Sequence, residues 1–332
     1  MSGALELRGV TVRYHQRGAH GGVVSAVDDV SLEIADGEML GLVGESGCGK
    51  TTLGRAILAL VPLAAGEIHW QGRRIDDVGA RRFRALRREL QFVFQDPNAC
   101  LDPRMTIGGS VAEPLRALAP ALDAAGREAR VTAILAEVGL APDLAGRYPH
   151  QLSGGQLQRA VIARALIVDP RFVVCDEPVS ALDVSVQGQI VNLLARIRRE
   201  RGLASLFISH NLAIVARLCE RILVMYRGRI VETASRDALI GAPLHPYTRE
   251  LLDAVPAIDP GARRRVRARP LDRADTSLAA DSPACPFAAR CPHAIARCRS
   301  ERPLLQPAQD GRLVACHRAG EWPAGLPPAA AG

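Results

Sequence analysis

The sequence predicts an α/β fold: a mainly parallel sheet with helices on both faces, an antiparallel β subdomain at the start, a helical insertion, and a small Cys-rich C-terminal extension. Three observations carry that expectation. Buried-strand runs at Met39–Val43, Phe172–Cys175, Ala204–Ile208 and Arg221–Met225 are separated by helical patterns, which is how strands covered on both faces read. Residues 5–14 and 26–34 instead alternate apolar with polar, as half-buried strands do, and a loop rich in Gly and His separates them as in a hairpin. From Gln95 to about Gln158, Pro-punctuated turns alternate with helical segments near 106–119 and 126–139, so an inserted helical subdomain is expected over about 96–158.

At 332 residues the chain is long for one domain. Its composition shifts near residue 256, beyond which Pro, Arg and Ala dominate and cysteines gather, so a main domain over 1–256 and an extension over 257–332 are expected. Hydrophobic residues make up 48% and aromatic ones 4%, a balance that suits a helix- and sheet-rich enzyme and excludes disorder as the dominant state. No apolar run approaches the roughly 18 residues that cross a bilayer, and the first residues do not resemble a signal peptide. The protein is therefore expected inside the cell. The net charge of +7 is concentrated in Arg81–Arg88 and Arg263–Arg273, which read first as solvated faces or linkers. Without interleaved aromatics or a reading helix they give nucleic-acid binding little support.

Gly44-Glu-Ser-Gly-Cys-Gly-Lys-Thr51 follows a strand and opens a helical pattern running from Lys50 to Leu60, the context that a phosphate-binding P-loop requires. Gly44, Ser46, Gly47, Cys48, Gly49, Lys50, Thr51 and Thr52 are the expected nucleotide contacts. Loop and helix amides face the phosphates, Lys50 neutralises the β and γ oxygens, and Thr51 holds Mg²⁺. Phe172-Val-Val-Cys-Asp176-Glu177 is an apolar strand ending in two carboxylates. Beside a P-loop, Asp176 would orient Mg²⁺ and Glu177 would polarise the attacking water. Leu152-Ser-Gly-Gly-Gln156 makes a second helix start with exposed amides and a Ser153 hydroxyl; alone, it would read equally well as an ordinary capped helix.

Taken together, these motifs resemble the nucleotide-binding subunit of ABC transporters, a family whose signature is Leu-Ser-Gly-Gly-Gln. The resemblance covers roughly residues 5–250 and implies the P-loop NTPase ABC cassette fold. It implies that Tyr14 stacks on adenine and that Gln95, in Phe-Val-Phe-Gln-Asp-Pro, is the Q-loop residue that senses Mg²⁺. Asp183, in Ser-Ala-Leu-Asp, would belong to the D-loop, and His210, in Ile-Ser-His-Asn, would be the switch histidine. It further implies that two subunits pack head to tail, so that Ser153, Gly154, Gly155 and Gln156 of one close over the ATP held by the other. Leu157 stands where the family more often has a polar residue, and Asn211 where it often has Asp. A non-transport ABC ATPase is the rival reading, but Lys50 and Ser153 are only 103 positions apart, with a compact insertion between them, which favours transport.

Leu244-His-Pro-Tyr-Thr-Arg-Glu-Leu-Leu-Asp-Ala-Val-Pro256 and the cysteine-rich tail after it are similar to the C-terminal extension of oligopeptide, dipeptide and nickel importer ATPases. That resemblance implies an ATP-hydrolysing subunit for oligopeptides or dipeptides, with nickel or another small solute as the alternative cargo. Its partners would be an identical or paralogous ATPase, two integral membrane permeases and, indirectly, an extracytoplasmic substrate-binding protein. It would then sit at the cytoplasmic face of the cell membrane.

Cys285, Cys291, Cys298 and Cys316 fall within 32 residues of a Pro-rich segment too poor in apolar residues to form much core, so an inorganic group is expected to organise it. Zinc and a [4Fe–4S] cluster both suit four thiolates, although the usual C-x₂₋₄-C knuckles of zinc sites are absent. The cluster is the one the resemblance implies. His293 and His317 read first as exposed side chains, with substitution as ligands or support of the ligands as the alternative. Cys48, Cys100, Cys175 and Cys219 read as structural, with Cys48 placed to make the P-loop sensitive to oxidation.

Overall fold

The structure, a computed structural model, describes residues 4–15, 22–254 and 282–321. Most of the Gly- and His-rich loop, the boundary expected near 256 and the basic run 263–273 lie outside the described residues. The chain opens with β1 (Leu5–His15) and β2 (Val23–Ile34), passes through β3 (Met39–Val43) into α1 (Lys50–Ile57), and returns as β4 (Ala65–Trp70) and β5 (Arg73–Arg74). Next come α2 (Ala80–Leu86), β6 (Leu90–Val93) and the insertion, built of α3 (Pro97–Cys100), α4 (Ile107–Leu118), α5 (Ala124–Glu137) and α6 (Gly154–Leu166). The main domain then alternates β7 (Phe172–Asp176), α7 (Val184–Arg201), β8 (Ala204–Ser209), α8 (Leu212–Leu218) and β9 (Arg221–Tyr226). It ends with β10 (Arg229–Ser235), α9 (Arg236–Gly241) and α10 (Pro246–Asp253). The extension contributes α11 (Ala296–Ser300), β11 (Gln306–Pro307) and β12 (Leu313–Val314).

Two sheets organise these elements. One is antiparallel, in the order β2-β1-β4-β5; the other runs β11-β12-β10-β9-β3-β8-β7-β6, with β9, β3, β8, β7 and β6 mutually parallel. The side-chain period of two splits each central strand between two cores. Leu40, Leu42, Phe172, Val174, Leu206, Ile208, Leu223 and Met225 face the antiparallel sheet and α1. Met39, Val43, Val173, Cys175, Phe207, Ile222 and Val224 face a second core, shared by α7, α8 and the helical insertion. Both faces of these strands are dry, which is why they read as unbroken apolar runs in the sequence.

The first sheet is larger than the sequence reading allowed. In β4, Ile68 and Trp70 point inward while Glu67 and His69 point away, an alternation that reading passed over. The basic run at 81–88 is a solvated face as expected, but most of it is the outer side of α2, pinned by the buried Phe83. The larger departure concerns the extension. β12 pairs antiparallel with β10, matching Glu232 with Val314, and Phe287, 2% exposed, joins the same core as the helical insertion. The segment thus draws on an apolar core supplied by the main domain. The fully buried Glu232 ties the approach to α10 by accepting the amides of Leu244 at 2.8 Å and His245 at 3.0 Å. No helix among the described residues is long and apolar enough to cross a membrane.

Candidate functional site

β3 ends in the P-loop, and the loop turns into α1 through Gly49, whose φ of +109° is left-handed. A β-carbon there would lie 2.0 Å from the Ala26 carbonyl oxygen on β2, so both conformation and space demand glycine. The loop is braced from both sides: the Gly228 amide donates to the Cys48 carbonyl at 2.7 Å, and the Glu45 amide donates to the Tyr247 hydroxyl at 2.8 Å. Lys50 is 4% exposed, and its Nζ donates to the carbonyls of Gly44 at 2.8 Å and Glu45 at 2.9 Å. Ser46 and Gly47 are exposed at the mouth of the loop.

The carboxylate pair lies where the parallel strands β3, β8 and β7 end together. Thr51 Oγ1 donates to Asp176 Oδ1 at 3.0 Å, bringing together two of the three residues expected at Mg²⁺. Burial raises the Asp176 carboxyl above the usual range and the adjacent Glu177 charge adds to this, while the Thr51 hydroxyl opposes it. A bound cation would reverse that balance. Glu177 occupies left-handed backbone at φ +45°, unusual for a residue with a side chain, and its amide donates to the Ile208 carbonyl at 3.0 Å. Its carboxylate is the centre of the site. Lys50 Nζ is 3.9 Å from Oε1, Gln95 Nε2 donates to Oε2 at 3.4 Å, and His210 Nδ1 is 2.9 Å from Oε2. An ionised carboxylate only accepts, so the His210 proton in that bond sits on Nδ1.

Gln95 stands between β6 and α3, the junction of sheet and insertion, as its position in the sequence suggested. Asn211, in place of the commoner Asp, caps α8 by accepting the Ala213 amide at 3.0 Å. Tyr14 is 42% exposed near the end of β1, free to present its ring. Asp183 starts α7 without a side-chain capping bond, and Val184 beside it is 84% exposed. Ser153 and Gln156 form a capping box: the Gln156 amide donates to Ser153 Oγ at 3.4 Å, and the Ser153 amide donates to Gln156 Oε1 at 2.9 Å. Among the described residues no hydrogen bond joins Ser153–Gln156 to the P-loop of the same chain. Leu157 is buried in the core, which accounts for its apolar character.

The four tail cysteines line one small cavity together with His245, Phe287, His293 and His317. Backbone amides two residues further on donate to three of the thiols, Phe287 to Cys285, His293 to Cys291 and Arg318 to Cys316. Burial pushes the Cys285 thiol up to about 11 and Cys316 up to about 12. Among the described residues no three His, Cys, Asp or Glu side chains already stand in a metal-ligand arrangement. Cys48 is 7% exposed and burial pushes its thiol up, which fits a structural role and disfavours the thiolate that oxidation requires. Three residues to which the motifs give no role of their own adjoin the site: Tyr247, the P-loop residue Glu45, and Arg290, which bonds Glu45 from 245 positions away.

Comparisons with known proteins agree with this geometry. Residues 27–180 match the ABC transporter family, and residues 231–298 match the C-terminal region of oligopeptide/dipeptide transporters. The oligopeptide transport ATP-binding protein OppF of Salmonella typhimurium is 48% identical over 283 residues, covering 85% of each chain. A putative peptide import ATP-binding protein of Brucella ovis is 47% identical over 315 residues, covering 95% of this chain and 97% of its own. Among solved structures, the ATP-binding cassette MJ0796, a dimer in a post-hydrolysis state bound to ADP and Pi, superposes with a TM-score of 0.64 at 30% identity, over 70% of this chain and 98% of its own. With relatives of this identity and coverage, and with both segments matched, the chain belongs to the ATP-binding proteins of ABC transporters, in the oligopeptide/dipeptide branch.

Proposed function

We propose that this chain is the ATP-binding and ATP-hydrolysing subunit of an importer of oligopeptides or dipeptides. It works at the cytoplasmic face of the membrane, paired with an identical or paralogous ATPase and docked on two permeases served by an extracytoplasmic binding protein. The observation that carries the proposal is the convergence of Lys50, Gln95 and His210 on Glu177, beside the Thr51–Asp176 pair. In this reading Tyr14 stacks on adenine, and Gly44, Ser46, Gly47, Cys48, Gly49 and Thr52 contribute the phosphate cradle. Mg²⁺, which would offset the negative charge of the phosphates, would be held by Thr51 and Gln95 and oriented by Asp176. Lys50 exchanges its carbonyl partners for phosphate oxygens. Glu177 takes the proton of the attacking water while His210 fixes the carboxylate.

Ser153 to Gln156 and Asp183 face outward and act on the nucleotide of the second subunit. Because Gln95 hinges the helical insertion, loss of the γ-phosphate at Glu177 is transmitted to the permease through that insertion. Glu177→Gln keeps the shape and removes the base, so kcat should fall by about a hundredfold or more, with an ATP-stabilised dimer accumulating in gel filtration. Turnover at the parental rate would reject Glu177 as the base.

The four-cysteine cavity supports a [4Fe–4S] site held by Cys285, Cys291, Cys298 and Cys316, with zinc as the alternative. Amide donors at three of the sulfurs oppose the burial that raises these thiols, and Phe287 and Pro246 give the cavity an apolar wall. The group would supply a structural crosslink between the two halves of the extension. Iron and zinc content of anaerobically purified protein, read with its visible spectrum, decides between them; a colourless zinc-loaded sample rejects the cluster.

A further inference from the structure

Glu45, the second residue of the P-loop, has its amide, carbonyl and carboxylate all engaged. The amide donates to Tyr247, and the carbonyl accepts from Lys50 Nζ at 2.9 Å. The carboxylate takes a two-pronged bond from Arg290, with Nη1 to Oε2 at 3.0 Å and Nη2 to Oε1 at 2.8 Å. Arg290 belongs to the extension and immediately precedes Cys291. Its Nη2 also bonds Glu250 Oε1 on α10 at 2.5 Å. The guanidinium lies 5.5 Å from the Phe287 ring centroid, 5.7 Å from Tyr226 and 6.0 Å from Tyr247, so three rings and two carboxylates confine it. The turn that carries it is itself fixed, because the Arg290 and Cys291 amides both donate to the Phe287 carbonyl, at 3.1 and 3.0 Å.

A loop that must receive a triphosphate is poorly served by a bare carboxylate at its second position. Arg290 cancels that charge and anchors the residue whose carbonyl holds Lys50. We propose that Arg290 is a positioning residue for nucleotide binding, through which the cysteine-rich extension neutralises and steadies the P-loop. The inference rests on the ATP-binding reading of that loop. A lysine would not reproduce it, because one ammonium cannot span two carboxylate oxygens and a second acceptor in a plane.

The alternative is a mere staple fixing the extension to the main domain, and the two roles separate by rescue. Arg290→Ala should weaken Mg-ATP binding about fivefold, the equivalent of about 1 kcal/mol, which is the upper range for a partly exposed ion pair. KM should rise by the same factor with kcat changed less than about twofold. Adding Glu45→Gln removes the bare charge without restoring the staple, so the double variant should regain most of the parental affinity. Equilibrium binding of a fluorescent ATP analogue with Mg²⁺, measured on the full-length parent and both variants, gives the answer. Unchanged affinity in Arg290→Ala, or an equal defect in the double variant, overturns the inference. Failure of the parent to bind nucleotide would instead overturn the ATP reading itself.

Discussion

The chain contains two glycine-rich helix starts that can face phosphate, and they are finished to different degrees. At α1 the P-loop is braced by β2, by the loop after β9, by Tyr247 and by Lys50, and it has no side-chain cap. At α6 the Ser153 hydroxyl and the Gln156 amide oxygen are spent on their own backbone, and Ser153 and Gly154 are exposed. The first surface is preorganised by the fold that contains it. The second is capped by its own side chains and meets no phosphate loop of its own chain among the described residues, as the proposed pairing with a second subunit requires.

Three substitutions test the difference between these two helix starts. The largest effect is expected from Gly49→Ala. Its β-carbon meets the Ala26 carbonyl at 2.0 Å on left-handed backbone, so the loop must move and Mg-ATP affinity should drop by at least about a hundredfold. Nucleotide titration of the purified protein checks it.

Ser153→Asp acts on the other surface. Aspartate is as good a helix cap as serine, so melting temperature and nucleotide affinity of the single chain should stay near parental, yet it sets a carboxylate where the partner's phosphate must dock. ATPase activity of the assembled transporter should therefore fall by about tenfold or more. Parental activity would mean that this helix start never meets a triphosphate. The smallest effect belongs to Gln156→Ala, which removes one arm of the capping box and should cost about 0.5–1 kcal/mol in thermal unfolding.

Much of the nucleotide site was legible because its chemistry is local in sequence. The P-loop needs consecutive amides after a strand and before a helix, and an acidic pair is most useful at a strand end, so order along the chain stands in for geometry. The resemblance gives Gln95, Glu177 and His210 separate roles, and their meeting at one carboxylate follows in the fold from parallel strands that end on one edge. The cysteine-rich segment was harder to read. Its poverty in apolar residues suggested a segment without much core, whereas Phe287 packs on Tyr226, Tyr247 and His245 of the main domain. Arg290 gave no signal at all, since an arginine in a basic chain usually faces solvent.

The strand runs, the phosphate loop, the acidic pair and the second glycine-rich helix start are set locally along the chain, because each depends on neighbours within about ten positions. Long-range packing alone makes β12 extend the sheet beyond β10 and brings Glu45 to an arginine 245 residues later. Contacts of that kind depend on which distant surfaces the core brings into register, and a period of two or 3.6 residues holds no information about them.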